Sequence, residues 1–430
     1  MKNKPTSIKE LCAFIWYLEG KYNLLDLEID GVKPWQSQRM SIYYTLALEL
    51  KILNQAQASM SIKDKFSSLF SYFINSVKYN PFNIFKAEVV IVSGKRVSKI
   101  NDREIDIYSK YFLDELIKTR SVIEFEQPYL GKHYKQIKKY TYYSDWIDLS
   151  SKIYIFLNRA NITKSQINFL KVVENEIETL LDIKFNLSNY LIKSIVRFKI
   201  EYKLYRYFLK RTEAKNIYIV NAYMMSSFIK AAKDSSIEVY ELQHGIFSEY
   251  HLGYSYPQRI ETLEYFPHKF LVWNEFWKTM IKLPIENKDI IIDRFRYLEK
   301  EKKKYIHLEK KQNQMLILSQ GAIGEKIAKK ILDNFDFFEQ YEIIYKLHPG
   351  EYERWKSYSS LVELNRLSNI IVVKDELLLY ELFATSQYQV GVFSTAIYEG
   401  VEFGCKTILL DLTGIEYMDK FIKFYNPKII

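Results

Sequence analysis

Two cysteines stand in a chain of 430 residues, Cys12 and Cys405, too far apart in sequence to match a metal-binding or redox spacing. Their scarcity points to a reduced compartment without disulfides. No window reaches the roughly 18 uncharged apolar residues that a membrane span needs. Met1 to Lys9 lack the positive-then-apolar layout of a secretory signal, so a cytoplasmic protein is expected. No Asp-x-Asp occurs anywhere, which argues against a metal-clamped nucleotide diphosphate and leaves no metal site in the expectation. Internal repeats, low-complexity segments and nucleic-acid modules are also missing. Glycine is scarce, with 13 in the chain, and nine of these fall between Gly245 and Gly414. Special backbone geometry, and with it ligand cradling, is therefore expected in the second half.

What is present is apolar and basic. Hydrophobic residues make up 48%, enough for real cores, and the length suggests two domains. The formal net charge of +10 favours anionic partners such as phosphorylated small molecules or an anionic membrane surface. The lysines are scattered over many segments, so a basic nucleic-acid-binding protein is the weaker reading.

Residues 8–80 read as helices, with Asp30 to Trp35 as a turn between them. Phe66 to Tyr79 is amphipathic and is expected to pack on its own domain rather than lie on a membrane. Strands are expected at Glu88–Gly94, Ser121–Phe125, Asn216–Val220, Ser236–Leu242 and His268–Trp273, with residues 133–212 basic and helical. The charged tract Arg296 to Lys311 reads as a linker. A second strand–helix series follows: Met315–Leu318, a turn at Ser319–Gly324, a helix over Glu325–Phe337, then strands at Tyr341–Leu347, Ile370–Val373, Tyr388–Val392 and Thr407–Leu410. A helix spans Ser394–Phe403 and another Glu416–Tyr425. This alternation predicts doubly wound parallel sheets in two α/β domains.

Three polar stretches lie at strand ends of these sheets, where such folds bind ligands. The first is the stretch Glu241-Leu242-Gln243-His244-Gly245-Ile246-Phe247-Ser248-Glu249-Tyr250-His251-Leu252-Gly253-Tyr254. The second is Lys346-Leu347-His348-Pro349-Gly350-Glu351. The third is Ser394-Thr395, opening a helix whose free N–H groups and dipole suit an anion. Between the last two lie Lys374-Asp375-Glu376, placed to take the hydroxyls of a ribose. Each stretch alone reads as a turn or a cap; together they point to a phosphate-bearing ligand.

These residues resemble bacterial glycosyltransferases of the GT-B architecture. More narrowly, they are similar to the group using cytidine-activated donors: sialyl- and polysialyltransferases, Kdo transferases of capsule and lipopolysaccharide assembly, and glycerophosphotransferases of teichoic acid synthesis. Those enzymes carry a His-Pro motif followed by Ser-Ser or Ser-Thr, matched here by His348-Pro349 and Ser394-Thr395 over a resemblance covering about residues 215–415. The resemblance implies two Rossmann-like domains facing across a cleft, with an N-terminal helical extension. The boundaries would be 1–80 for the extension, 81–300 for the acceptor domain and 312–415 for the donor domain. Residues 416–430 would form a helix crossing back.

It further implies a metal-independent transferase without a cofactor. Such an enzyme would move a sugar, a nonulosonic acid or Kdo, from a CMP-linked donor to a glycan or lipid-linked glycan at the inner membrane face. Donor-binding residues would be His348, Pro349, Ser394, Thr395, Asp375 or Glu376, Lys346, Ser319, Gln320 and Glu399. Gln243, Gly245 and Tyr254 would line the acceptor side. The Asp-Gly or Glu-Gly base motif of the sialyltransferases is absent beyond Asp30-Gly31. The base is therefore open among His244, Glu249, His251 and Asp106, with Asp102 beside them. Peripheral membrane contact would use Lys135, Lys138, Lys139 and the other basic residues of 133–212. The rival readings are a CDP-polyol phosphotransferase, a UDP-sugar transferase of the same fold, a nucleotide-sugar 2-epimerase and a non-catalytic binding subunit.

Overall fold

The computed structural model describes residues 4–53, 62–80, 86–94, 97–100, 103–128, 132–133, 139–257, 263–280 and 282–430. The first half contains β1 (Val89–Val92), β2 (Val97–Ile100), β3 (Arg103–Asp106), β4 (Val122–Glu126), β5 (Thr141–Tyr143), β6 (Asn216–Val220), β7 (Glu238–Leu242), β8 (Lys269–Val272) and β9 (Ile290–Ile292). The second half contains β10 (Lys311–Leu318), β11 (Glu342–Lys346), β12 (Ile370–Val373), β13 (Ser386–Gly391), β14 (Lys406–Leu409) and β15 (Lys428–Ile429).

One sheet runs β5-β4-β1-β6-β7-β8-β9 and the other β12-β11-β10-β13-β14-β15, every pairing in both being parallel. The Val/Ile runs of β1 and the second half of β10 are buried throughout, as strands covered on both faces must be. Two doubly wound sheets with a helical extension at the N-terminus make this the GT-B architecture. β2 and β3 form a separate antiparallel hairpin.

The chain order reverses between β1 and β6 in the first sheet and between β10 and β13 in the second. Loops that follow strands on either side of such a reversal leave a crevice between them. Helices Ile8–Tyr22 and Pro34–Glu49 share one buried core with helices Lys164–Leu181 and Leu187–Thr212. Arg39 crosses from that core to the loop after β7, donating to the carbonyl of Ser255 at 2.7 Å and to that of Leu252.

Several expectations are corrected. The tract Arg296 to Lys311 joins the two sheets, but as ordered structure: Arg296–Tyr305 is a helix, and Lys311 already begins β10. Its buried residues Tyr297, Leu298, Glu301 and Tyr305 fall on one helical face, and Tyr297 stacks edge-on against Tyr380 of the second domain. Residues 133–212 include β5. Residues 416–430 hold more than a helix: the helix Asp419–Tyr425 does meet the first half, Phe424 and Tyr425 packing on Phe276, but β15 follows it and pairs with β14 in the second sheet. The amphipathic segment forms helix Ile62–Lys78, but its apolar stripe faces outward, with Phe70, Phe73, Ile74 and Val77 exposed. Among the described residues, no helix is long and apolar enough to cross a membrane.

Candidate active site

The second sheet lines up its polar loops in strand order. At the C-terminal ends of β12, β11, β10 and β13 stand Asp375, His348, Ser319-Gln320 and Ser394-Thr395. The crevice between β10 and β13 therefore separates Ser319-Gln320 from Ser394-Thr395. Gln320 closes its floor, accepting at Oε1 from the Phe393 N–H at 3.1 Å. Ser394 caps helix Thr395–Glu402 by accepting from the Ala396 N–H at 3.2 Å. Thr395 is the first helical residue and is partly exposed.

His348 ends its strand on a short turn begun by Pro349, with its ring exposed. Its Nδ1 accepts from the Gly350 N–H at 3.0 Å, which assigns the ring proton to Nε2 and makes that nitrogen a donor. Glu351, fully buried, holds this turn: its carboxylate accepts from the His348 N–H at 2.9 Å and from Ser319 Oγ at 3.0 Å. A Cβ at Gly324 would run into that carboxylate, so this position requires glycine. Glu351 was not a sequence candidate, because its role depends on burial that no spacing displays.

Lys346 is turned away from the crevice. Its ammonium donates to the carbonyls of Lys374 and, at 2.7 Å, of Leu377, and so pins the loop carrying Asp375 and Glu376. Burial lowers its pKa against the raising effect of Asp375 and Glu376. Asp375 is exposed, whereas Glu376 folds back to accept from the Lys374 N–H at 2.6 Å. Glu399 is buried, accepting from the Tyr380 hydroxyl at 2.8 Å, and borders a cavity of about 260 Å³ shared with Trp273, Trp277, Phe295 and Tyr398 of both halves.

The first sheet contributes the loop after β7. A Cβ built at Gly245 would lie 3.4 Å from Thr395 Oγ1, so this loop meets the helix start of the other domain directly. His244 precedes that contact, with its side chain 18% exposed. Its Nδ1 lies 3.4 Å from the Tyr254 hydroxyl and 3.8 Å from Glu241 Oε1. Glu241 is buried at the end of β7; its Oε1 accepts from Tyr254 at 2.6 Å and from the Ala222 N–H at 3.1 Å. Gln243 is likewise buried and ties the loop to β8, accepting from the Trp273 N–H at 2.9 Å.

The remaining base candidates are placed less favourably. Glu249 is exposed and pairs with Lys420 at 3.5 Å. His251 packs under Tyr223 and Tyr254; burial, with help from His244 and Arg39, lowers its pKa to about 3, leaving a weak base. Asp106 is buried and holds a turn, accepting from Gly94 N–H at 2.8 Å, Tyr108 N–H at 3.0 Å and Ser109 Oγ. Asp102, Lys135 and Lys138 lie outside the described residues, and Lys139 is exposed.

Burial raises the Glu241 pKa to about 8, against the hydrogen bonds from Tyr254 and Ala222. The folded carboxyl therefore holds its proton more tightly than the unfolded one. The stability this confers is full below the ordinary value of 4.5 and is lost as pH rises through about 8. Urea unfolding is expected to show stability falling across that window by on the order of a few kcal/mol. Glu241→Gln should flatten the fall, and an unchanged slope in the variant would refute the assignment.

The fold, the loops at the β10/β13 reversal and the loop after β7 thus define a two-domain GT-B protein with a crevice between the domains. No family model matches the sequence. An uncharacterized protein of Methanocaldococcus jannaschii is 26% identical over 329 residues, covering 70% of this chain and 55% of that protein. The chain spans little more than half the length of this relative. Among solved structures, the UDP-GlcNAc 2-epimerase of Methanocaldococcus jannaschii is 11% identical with a TM-score of 0.46, over 80% of this chain and 88% of that one. A glycosyltransferase of Rickettsia africae is 11% identical with a TM-score of 0.39, over 77% and 81%. The wall teichoic acid polymerase TagF is 11% identical with a TM-score of 0.36, over 86% and 89%. At these scores the likenesses add no argument to the strand order itself.

Proposed function

We propose that the chain is a metal-independent glycosyltransferase that moves a sugar, a nonulosonic acid or Kdo, from a CMP-linked donor to a hydroxyl of a surface glycan. The observation that supports this reading is the close approach of Gly245 to Thr395, whose Oγ1 is 3.4 Å from where a Cβ on Gly245 would stand, with His244 the residue before it. In the reaction the bond from the anomeric carbon to the phosphate oxygen breaks, and its electron pair leaves with the nucleotide. His348 Nε2–H, the hydroxyls of Ser394 and Thr395 and the free N–H groups of that helix are donors for the developing phosphate charge. Asp375 reaches for the ribose. The acceptor hydroxyl forms the new bond to the anomeric carbon and gives its proton to His244. The acceptor side comprises Gly245, with a glycan or lipid-linked glycan as substrate; Tyr254, buried and hydrogen-bonded to Glu241, supports the loop from behind.

A thermal-shift screen with CMP, CDP, UMP, UDP and GDP tests the donor class. CMP is expected to stabilise the protein above the other four; at a hundredfold excess over its Kd the gain is about 2.7 kcal/mol. Stabilisation by UDP instead would move the reading to a UDP-sugar transferase or an epimerase, and by CDP to a polyol phosphotransferase. No shift with any of the five would refute nucleotide use altogether.

A further inference from the structure

Helices Ile62–Lys78 and Asp145–Leu157 pack against each other at the outer edge of the first sheet, and each leaves an apolar stripe facing outward. Their inward residues are largely polar: Ser76, Asp145 and Ser151 are buried beside Ile147, and Asn75 Nδ2 donates to Asp145 Oδ1 at 3.0 Å. Their outward residues are apolar. Phe70, Phe73, Ile74 and Val77 stand at i, i+3, i+4 and i+7 on one helix; Ile153, Phe156 and Leu157 stand at i, i+3 and i+4 on the other. All seven are between 43% and 91% exposed. A helix of a water-soluble domain turns its apolar stripe to the core. Scattered single exposed hydrophobics are ordinary, but seven side chains on two neighbouring faces mark a docking surface.

The arrangement is held firmly. His133 bridges Glu126, at the end of β4, and Asp145, at the start of the second helix, with contacts of 3.0 and 2.7 Å, and its ring stacks on Tyr143 at 3.5 Å. The charges around the face have one sign. Among the described side chains of these helices, Lys78 and Lys152 are exposed, while Asp145 is buried and Asp148 turns to Ser144 and Arg197. Lys132, Lys139 and Arg159, just outside them in sequence, are exposed as well.

We infer that this two-helix face seats the protein on an anionic lipid bilayer, the seven apolar side chains entering the headgroup–acyl boundary and the lysines and Arg159 meeting lipid phosphates. Apolar side chains with a basic rim are the two attractions that hold a helix in that plane. A second copy of the chain would instead set two positive rims face to face. The second helix follows β5 directly, and the C-terminal end of β5 lies on the same sheet edge as the loop bearing His244. The docking itself does not depend on the transferase reading.

Co-sedimentation of the full chain with vesicles of phosphatidylcholine plus phosphatidylglycerol, and of phosphatidylcholine alone, tests this. The wild type is expected to pellet with the anionic vesicles. Phe73→Ser/Phe156→Ser should lower the partition about tenfold or more, and Lys78→Gln/Lys152→Gln should weaken binding to anionic vesicles only. Circular dichroism and the nucleotide thermal shift should be unchanged in both, because these side chains are exposed. A wild type that stays in the supernatant would overturn the inference, as would a Phe73→Ser/Phe156→Ser variant that pellets like it. A wild-type dimer on size exclusion that this variant abolishes would assign the face to a second copy and overturn it equally.

Discussion

Arg39→Met is expected to destabilise the first domain by about 3–5 kcal/mol in urea unfolding, the cost of stranding one partner of a buried ion pair. Arg39 is 2% exposed and meets Glu19 through two hydrogen bonds, Nε to Oε1 at 2.6 Å and Nη2 to Oε2 at 2.9 Å. Its remaining nitrogen goes to the backbone of the loop after β7, and its guanidinium lies 4.1 Å from the centre of the Tyr256 ring. Methionine leaves the Glu19 carboxylate buried, with only the Trp35 indole N–H donating to it at 2.8 Å. The double variant Arg39→Met/Glu19→Met removes both charges together and should recover most of the loss, short of the indole hydrogen bond, which is worth about 1 kcal/mol. A single variant that unfolds within roughly 1 kcal/mol of the wild type would show that the pair is not buried as described. Because Arg39 also carries the loop carbonyls, the prediction links the N-terminal helices to the placement of the loop containing His244.

Arg39 also shows where sequence reading stops. The helical spacing from Met40 to Leu53 is plain in the residues, but a lone arginine before it reads as a solvated charge. Strands Asn216–Val220 and Ile370–Val373 are legible to the residue, because β-branched runs between turn signals leave little choice. The three-residue β5 and β9 and the two-residue β15 are not, since runs this short carry no period even where, as in the Ile-Ile-Ile of β9, the residues favour a strand. The lysines of Arg296–Tyr305 hide an apolar face that is present at helical spacing.

Amphipathicity told that helix Ile62–Lys78 has two faces and was silent on which one points inward. In the candidate site, His348, Ser394 and Thr395 are legible because loops at parallel-strand ends must converge on one sheet edge. Glu351 and Glu241 are not, because a carboxylate becomes an organiser only when burial and its donors are known. Lys346, legible as a charge, is committed to two backbone carbonyls that no pattern announces.

Replacing His244 by alanine is expected to lower kcat about 10²–10⁴-fold, the usual share of a positioned general base. Four observations single it out from its neighbours. Its side chain keeps some exposure, and its Nδ1 faces the Tyr254 hydroxyl and Glu241. With its pKa at about 8, Glu241 is mostly protonated at neutral pH, so it and Tyr254 give the imidazole an orientation rather than a compensating charge. The next residue meets Thr395, at the start of the helix proposed to bind the donor phosphate. The other candidates are spoken for: Glu249 by Lys420, Asp106 by its turn, and His251 by the burial that drops its pKa to about 3.

The prediction separates from one for the donor side. His244 lies on the first domain, so His244→Ala should keep the full thermal shift with CMP while losing turnover. His348→Ala removes an Nε2–H donor proposed for the phosphate and should shrink that shift, raising KM for the donor. If His244→Ala turns over within roughly threefold of the wild type, no positioned base was removed, and the proton must leave the acceptor by another route. If instead it loses the nucleotide shift, the loop belongs to the donor side, and the division of labour between the two sheets is the reverse of the one argued from Gly245 and Thr395.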